Sequence, residues 1–366
     1  MLASNTILRS AARTNKASLS SASLSFGSSN NISIGSMPRD RPAAGRLIDV
    51  SDLAEDMRSS VRDYTRMHDG DIKVIGILAH DYGRSDAELY SERIQSTCQE
   101  DGLTYEVCRV AGERPQDVEA AIQAANARDD VHGILVYYPI FKHRELWSRG
   151  PYKNQLTGVY YKTHDDYLRD VVAHSKDVEG LSYHYNARWL FRAQAKLSRD
   201  QNSNIIYPCT ALSVLRILDS QEHEWAETTI TIVNRSEIFG RPLAAMLANR
   251  GAMVYSIDED CILLFRSGGR LRRCTDMDLD CCMRHSSIVI SAVPTPQFSL
   301  PICAIQPGTT VVNVSEYSNV DEDAILGIPG AQFIPQVGKV TVAMLEQNLI
   351  NLHQRWQHDT KDLSRC

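Results

Sequence analysis

No stretch of this chain stays apolar for the roughly 18 residues that crossing a bilayer takes, so neither a spanning helix nor a membrane partner is expected. Positive charge is not in excess: the net charge is −6 and the pI near 6.0, which leaves no electrostatic footprint for nucleic acid. Cysteine is present without pattern. The nine cysteines are odd in number and never form C-x-x-C, and the adjacent Cys281 and Cys282 lack partners at zinc spacing. That argues against a disulfide-stapled domain and reads as a reduced intracellular chain whose cysteines are small core residues. His132, His174 and His184 lack the paired spacing of metal ligands, so no metal is expected. Missing too is the G-x-G-x-x-G phosphate loop. Any dinucleotide site must therefore be argued from other residues.

What is there is enough for two domains: 366 residues, 43% hydrophobic and 23% charged. The most informative segment is Thr228–Asp260. Ile230, Ile232 and Val233 are β-branched, as a parallel strand buried on both faces requires. Leu243, Met246 and Leu247 recur at helical spacing, Gly251 ends that helix, and Met253–Ile257 returns to strand character. A βαβ unit of about 30 residues with an acid closing its second strand is the architecture that holds a dinucleotide. The helix opening near Gly240 and Pro242 would offer backbone N–H groups and its positive end to a pyrophosphate. Asp258 would accept from an adenosine ribose and repel a 2′-phosphate, which favours NAD over NADP. An ordinary buried βαβ unit is the alternative.

Alternating elements also fill the first half. Helices are expected over Asp52–Met67, Asp86–Cys98 and Pro115–Ala127, and strands over Ile72–Leu78, Tyr105–Val110 and Gly133–Tyr138. Lys142–Asp166 reads as a long excursion, and loops of that length tend to be functional or mobile. Thr210–Leu218 connects the halves, Ile288–Ala292 and Thr310–Val314 are further buried strands, and Arg266–Asp280 shows no periodicity and reads as a surface insertion. The resulting fold class is α/β with two domains. Residues 43–218 form an N-terminal domain, 219–340 a Rossmann-type NAD-binding domain, and 341–366 a C-terminal helix packing back on the first domain, with a cleft between the halves. Residues 1–42 stand apart. Arg9, Arg13, Lys16 and Arg39, many serines and no acid before Asp40 make the pattern of an organellar transit peptide, mitochondrial ahead of plastid. A disordered tail on a cytoplasmic protein is the alternative.

Six pieces in order carry a resemblance. They are Leu89-Tyr90, His132–Pro139, Lys176–Leu181, Pro208-Cys209-Thr210, Asn234–Pro242 and Gly338–Leu345. The series resembles the methylenetetrahydrofolate dehydrogenase/cyclohydrolase family, in particular its monofunctional NAD-dependent members. The resemblance implies a folate-binding first domain, NAD as cofactor, tetrahydrofolate derivatives as partners, a homodimer and a place in one-carbon metabolism. Bifunctional members carry Tyr-x-x-x-Lys, whereas Tyr90 is followed by Ile94; their Val-Gln-Leu-Pro glutamine is replaced by Tyr137; their Asp-Val-Asp-Gly becomes Asp177-Val178-Glu179-Gly180. The lysine–glutamine pair for water chemistry is missing, which implies dehydrogenase activity with weak or absent cyclohydrolase activity.

The same resemblance marks Tyr90 and Glu179 as catalytic candidates. Tyr90 would lie along the folate, and Glu179 would accept from the pterin amino group and ring N–H. Tyr137 would shape the pocket, although a buried strand tyrosine explains it equally. Gly338 and Thr341, at the start of the last helix, would meet both ligands. Arg235 and Ser236 would line the pyrophosphate or ribose side, with Arg235 alternatively pairing Glu237 or Glu259. Val293 follows a core strand at the carboxyl end of the sheet, where such folds bind ligands. An α/β oxidoreductase of another substrate class, or a non-catalytic folate- or NAD-binding protein, are the competing readings.

Overall fold

The structure, a computed structural model, describes residues 44–68, 72–79, 86–111, 114–141, 152–153, 159–185, 206–221 and 223–363. The amino-terminal segment 1–42, and 142–151 and 154–158 of the expected excursion, lie outside the described residues.

Three parallel strands build the first half: β2 (Lys73–Ala79), β3 (Thr104–Val110) and β4 (Gly133–Val136), in the order β3-β2-β4. All of β4 and all but the first residue of β2 are buried, as their unbroken apolar text requires of strands covered on both faces. Helix α1 (Ser51–Met67) precedes this sheet, while α2 (Asp86–Glu100) and α3 (Pro115–Asn126) cross between its strands. In α3, proline stands in the first turn, where its missing N–H costs nothing, and Val118, Ile122 and Ala125 form one buried stripe. Arg58 and Arg62 of α1 reach the buried Asp101 just beyond α2, at 2.6 and 2.9 Å. A two-stranded ribbon, β5 (Tyr152–Lys153) with β6 (Tyr160–Tyr161), leads into α4 (His164–Val171). There Thr163 and Asp166 close a reciprocal capping box.

Helix α5 (Cys209–Asp219) enters the second half, whose strands are β7 (Thr229–Val233), β8 (Met253–Ile257), β9 (Ile262–Arg266), β10 (Arg270–Cys274), β11 (Ile288–Ser291), β12 (Thr310–Asn313) and β13 (Gln332–Ile334). With β1 (Arg46–Leu47) they make one eight-stranded sheet, ordered β1-β13-β12-β11-β7-β8-β9-β10. It is parallel from β1 to β8 and ends in an antiparallel hairpin. Helix α6 (Gly240–Arg250) runs from β7 to β8 and stops at Gly251, whose φ of 113° suits only glycine without strain. Two short helices, α7 (Leu279–Arg284) and α8 (Glu322–Leu326), and the long α9 (Gly338–Leu363) complete the fold.

Three features differ from expectation. The described part of Lys142–Asp166 is not without secondary structure, since it holds β5, β6 and the start of α4. The stretch Arg266–Asp280 is no irregular insertion: it holds the end of β9, all of β10 and the start of α7. Arginines at 270, 272 and 273 hide a strand because β10 is an edge whose first four residues face solvent. The segment before α1 crosses to the other half, Arg46 and Leu47 pairing with Gln332 and Phe333. One of three core clusters among the described residues runs through both halves, with Ile94, Leu215, Leu243, Val340 and Leu349 among its members.

Candidate active site

One side of the site rises from β4 and the turn after it. Ile134 pairs with Asp177 beyond the sheet's last strand, and the buried Asp177 carboxylate accepts from the N–H groups of Leu181 and Ser182 at 3.4 and 2.8 Å. This closes a tight turn with Gly180 at φ 65°, where a Cβ would meet Ile206 O and Tyr207 C at 2.9 Å. The turn presents Glu179. Its Oε2 accepts from Val136 N at 3.3 Å, and burial beside Asp177 pushes its carboxyl up to about 8.

Facing it, Tyr90 of α2 sits edge-on to Tyr137, ring centroids 6.2 Å apart at 90°. Burial, with Cys209 and Glu179 close by, pushes the Tyr90 phenol far above its ordinary range. Tyr137 is buried, and its hydroxyl is hydrogen-bonded to that of Tyr105, which reaches Ser91 Oγ at 3.2 Å. Gly76 makes this chain possible, since a Cβ there would lie 2.0 Å from Tyr105 Oη. Ile94, one turn beyond Tyr90, is 0% exposed.

The cofactor side forms at the carboxyl ends of β7 and β11, where the strand order reverses direction from the centre. Asn234 takes φ 91° and donates from Nδ2 to Ala292 O at 2.6 Å, tying the two strand ends together. Its carbonyl oxygen approaches α6 so closely that a Cβ on Gly240 would lie 1.9 Å away. The first turn of α6 has no side-chain cap. A pyrophosphate is therefore matched by an uncapped helix N-terminus on a turn that only glycine closes. Ser236 lies in this turn, its carbonyl accepting from Arg241 N at 3.0 Å.

Beyond the turn, Arg235 finds neither Glu237 nor Glu259. Its guanidinium donates to Ser256 O at 2.9 Å and to the carbonyl and sulfur of Cys261 at 3.3 and 3.1 Å, and it stands 3.3 Å from Asp258. Glu237 is taken by Arg241 instead. The Arg235 side chain is 11% exposed while that of Asp258 is 42% exposed, so the carboxylate fronts the guanidinium. An outward acid on an inward base suits a ribose diol and repels a phosphate monoester. Val293 is half-buried, its carbonyl accepting from Ser315 Oγ at 2.9 Å.

The start of α9 joins the two sides. A Cβ on Gly338 would meet nothing nearer than Arg93 Nη1 at 4.0 Å, so this residue lies against the helix that carries Tyr90. Thr341 is buried, its hydroxyl shared between Val337 O at 3.1 Å and Ser213 Oγ at 3.0 Å, which commits it to joining α9 and α5. Three residues without a role in the sequence analysis belong to the same neighbourhood: Tyr105, Cys209 and Asn348. Cys209 lay within a quoted motif; nothing local marked the other two.

A mostly parallel sheet whose strand order reverses between β11 and β7, joined to a second α/β half, is the architecture of a two-domain dinucleotide-binding protein. The model of the tetrahydrofolate dehydrogenase/cyclohydrolase catalytic domain matches residues 48–148, and that of its NAD(P)-binding domain matches 208–357. The chain belongs to the tetrahydrofolate dehydrogenase/cyclohydrolase family. It is 36% identical over 320 residues to an NAD(+) methylenetetrahydrofolate dehydrogenase of Dictyostelium discoideum, spanning 83% of this chain and 93% of that one. The corresponding enzyme of Schizosaccharomyces pombe is 31% identical over 324 residues, 84% and 92% of the two chains. The solved NAD-dependent 5,10-methylenetetrahydrofolate dehydrogenase of Saccharomyces cerevisiae matches with a TM-score of 0.71 at 28% identity, covering 87% of this chain and 99% of that one.

Proposed function

We propose that this chain oxidises 5,10-methylenetetrahydrofolate to 5,10-methenyltetrahydrofolate by hydride transfer to NAD, with little or no hydrolysis of the product. The carrying observation is the fully buried Ile94 one turn beyond Tyr90, together with a Tyr137 hydroxyl already engaged by Tyr105.

Oxidation removes a hydride from a carbon flanked by two nitrogens, and the cation left behind is delocalised over both. No proton has to move. NAD, when bound, supplies the hydride acceptor. The protein's task is placement: Glu179 accepts from the pterin's donors, Tyr90 lies along the ring system, and the Asn234–Gly240 turn with Asp258 holds the dinucleotide. Such positioning supplies about 7–11 kcal/mol in favourable systems. Hydrolysis of the methenyl product differs, because water must lose a proton and a nitrogen gain one. General acid–base help of that kind is worth about 10²–10⁴-fold. Ile94 has no titratable atom, and burial keeps the phenols of Tyr90, Tyr105 and Tyr137 neutral. Glu179, in this reading, is engaged by the pterin ring.

The purified chain is therefore expected to form reduced NAD and methenyl product from methylenetetrahydrofolate while leaving added methenyl substrate near its uncatalysed rate. Ile94→Lys is expected to raise hydrolysis by less than about 10-fold, since Tyr137 cannot orient the new amine. Absorbance of the methenyl product reads both steps; hydrolysis as fast as oxidation in the parent chain sinks the proposal.

Cofactor choice is tested separately. Removing the carboxylate in Asp258→Ser uncovers a guanidinium already held in place, so the NADP-to-NAD ratio of kcat/KM should rise at least about 10-fold, the equivalent of one charge-assisted hydrogen bond. An unchanged ratio removes Asp258 as the discriminator without touching the oxidation chemistry.

A further inference from the structure

We infer that Asn348 is a positioning residue for the folate pocket: one buried amide on α9 fixes the two chain segments that carry Glu179 and Cys209. The inference rests on the proposed role of Glu179 and extends it to a residue outside the pocket.

Asn348 is 4% exposed. From this position Nδ2 donates to Val178 O at 2.9 Å, to Tyr207 O at 3.1 Å and to Cys209 Sγ at 3.3 Å. Val178 directly precedes Glu179, and Tyr207 and Cys209 flank the proline that opens α5. The two segments touch backbone to backbone, because Gly180 leaves no room for a Cβ against Ile206 and Tyr207. Their carbonyls converge on one buried point. Cys209 Sγ also donates to Val178 O at 3.2 Å, so the thiol is both held by the amide and part of the clasp.

Without the amide, Val178 O would keep only the weak thiol donor of Cys209, and Tyr207 O would lose its bond to Nδ2. A side chain that satisfies both must offer two N–H groups on a short stem and no charge, which among the twenty residues describes asparagine best at this reach. Aspartate is nearly isosteric but turns an acceptor toward two acceptors. Asparagine is also a weak helix former, so its place inside a 26-residue helix is explained by these contacts and not by local preference. The consequence falls on Glu179. Its carboxylate must meet two donors on one edge of a ring, and a small rotation of the Val178–Gly180 turn misaligns both bonds at once.

The test is steady-state kinetics with methylenetetrahydrofolate and NAD on the full chain. Asn348→Ala is expected to raise KM for the folate about 10-fold while KM for NAD stays within about twofold, and Asn348→Ser, which keeps one donor, about threefold. Asn348→Asp should be at least as damaging as alanine despite its matching shape. A purely structural role predicts a lower melting temperature and less active enzyme with the folate KM unchanged, and that result overturns the inference. If the alanine variant does not fold, the serine variant carries the same comparison. Repeating Asn348→Ser in a Glu179→Gln background separates the layers: its effect on the folate KM should shrink below about twofold, because no carboxylate remains to be aimed. An equal effect in both backgrounds overturns positioning through Glu179. An unchanged folate KM in Glu179→Gln alone removes the role of Glu179, and with it this inference, while the oxidation assay stands apart.

Discussion

Gly240→Ala should unfold the cofactor turn and lower the melting temperature by about 10 °C, with NAD affinity lost in whatever remains folded. The added methyl would sit 1.9 Å from Asn234 O, 2.9 Å from Asn234 C and 3.0 Å from Arg235 Cα. All three are backbone atoms, so no side chain can swing aside. Asn234 has no slack to give: it already holds φ 91°, and its side chain is tied to Ala292 O at 2.6 Å. Overpacking of this kind costs about 3 kcal/mol or somewhat more. In a chain of this size each kilocalorie lowers the melting temperature by about 2–4 °C. Gly338→Ala is the control. Its Cβ would meet nothing nearer than Arg93 Nη1 at 4.0 Å, and alanine is the better helix former, so its melting temperature should stay within about 2 °C of the parent. Thermal unfolding with and without NAD measures both variants. If Gly240→Ala melts with the parent, the turn is more compliant than its contacts imply, and Gly240 is not what closes it.

That turn also marks the limit of what the sequence could disclose. The βαβ unit around it was legible because its strands are buried on both faces and its helix repeats at 3.6 residues, both of which leave a local imprint. The partner of Arg235 was not. Glu237 and Glu259 are nearer in sequence or equally acidic, but β7 and β8 lie side by side, and their ends bring Arg235 against Asp258 instead. The β9–β10 hairpin was hidden for another reason. The first four residues of this edge strand are exposed on both faces and three of them are arginines, which erases the alternating apolar pattern. A signal was available in Gly268-Gly269, both at positive φ in the three-residue loop between the strands. On the folate side, Tyr90 and Glu179 were legible only through resemblance. Asn348 and Tyr105 act through contacts with residues far away in the chain, and no spacing rule reports such contacts.

Replacing Glu179 by Gln is expected to lower kcat/KM for methylenetetrahydrofolate about 100-fold, since a bidentate charged acceptor becomes one acceptor and one misplaced donor. The pH profile makes this more than a test of importance. In the free protein, burial and the nearby Asp177 raise the Glu179 carboxyl from its ordinary value to about 8, against the Val136 N–H that favours the ionised form. A carboxyl raised in this way binds a proton in the folded chain that it would release in the unfolded chain. Stability linked to it is complete below the ordinary glutamate range, and is lost as pH climbs toward and through 8. Binding runs the opposite way. Two pterin donors need the ionised carboxylate, so the folate KM should fall as pH rises toward 8 and level off above it. Glutamine neither ionises nor pays this linkage, so Glu179→Gln should flatten both curves: the folate KM against pH, and the part of thermal stability lost between the ordinary glutamate range and pH 8. KM for NAD, whose site is built from the Asn234–Gly240 turn and Asp258, should show neither change. A folate KM that keeps its slope in Glu179→Gln assigns the titration to another group, and Glu179 would then no longer be the residue that grips the pterin.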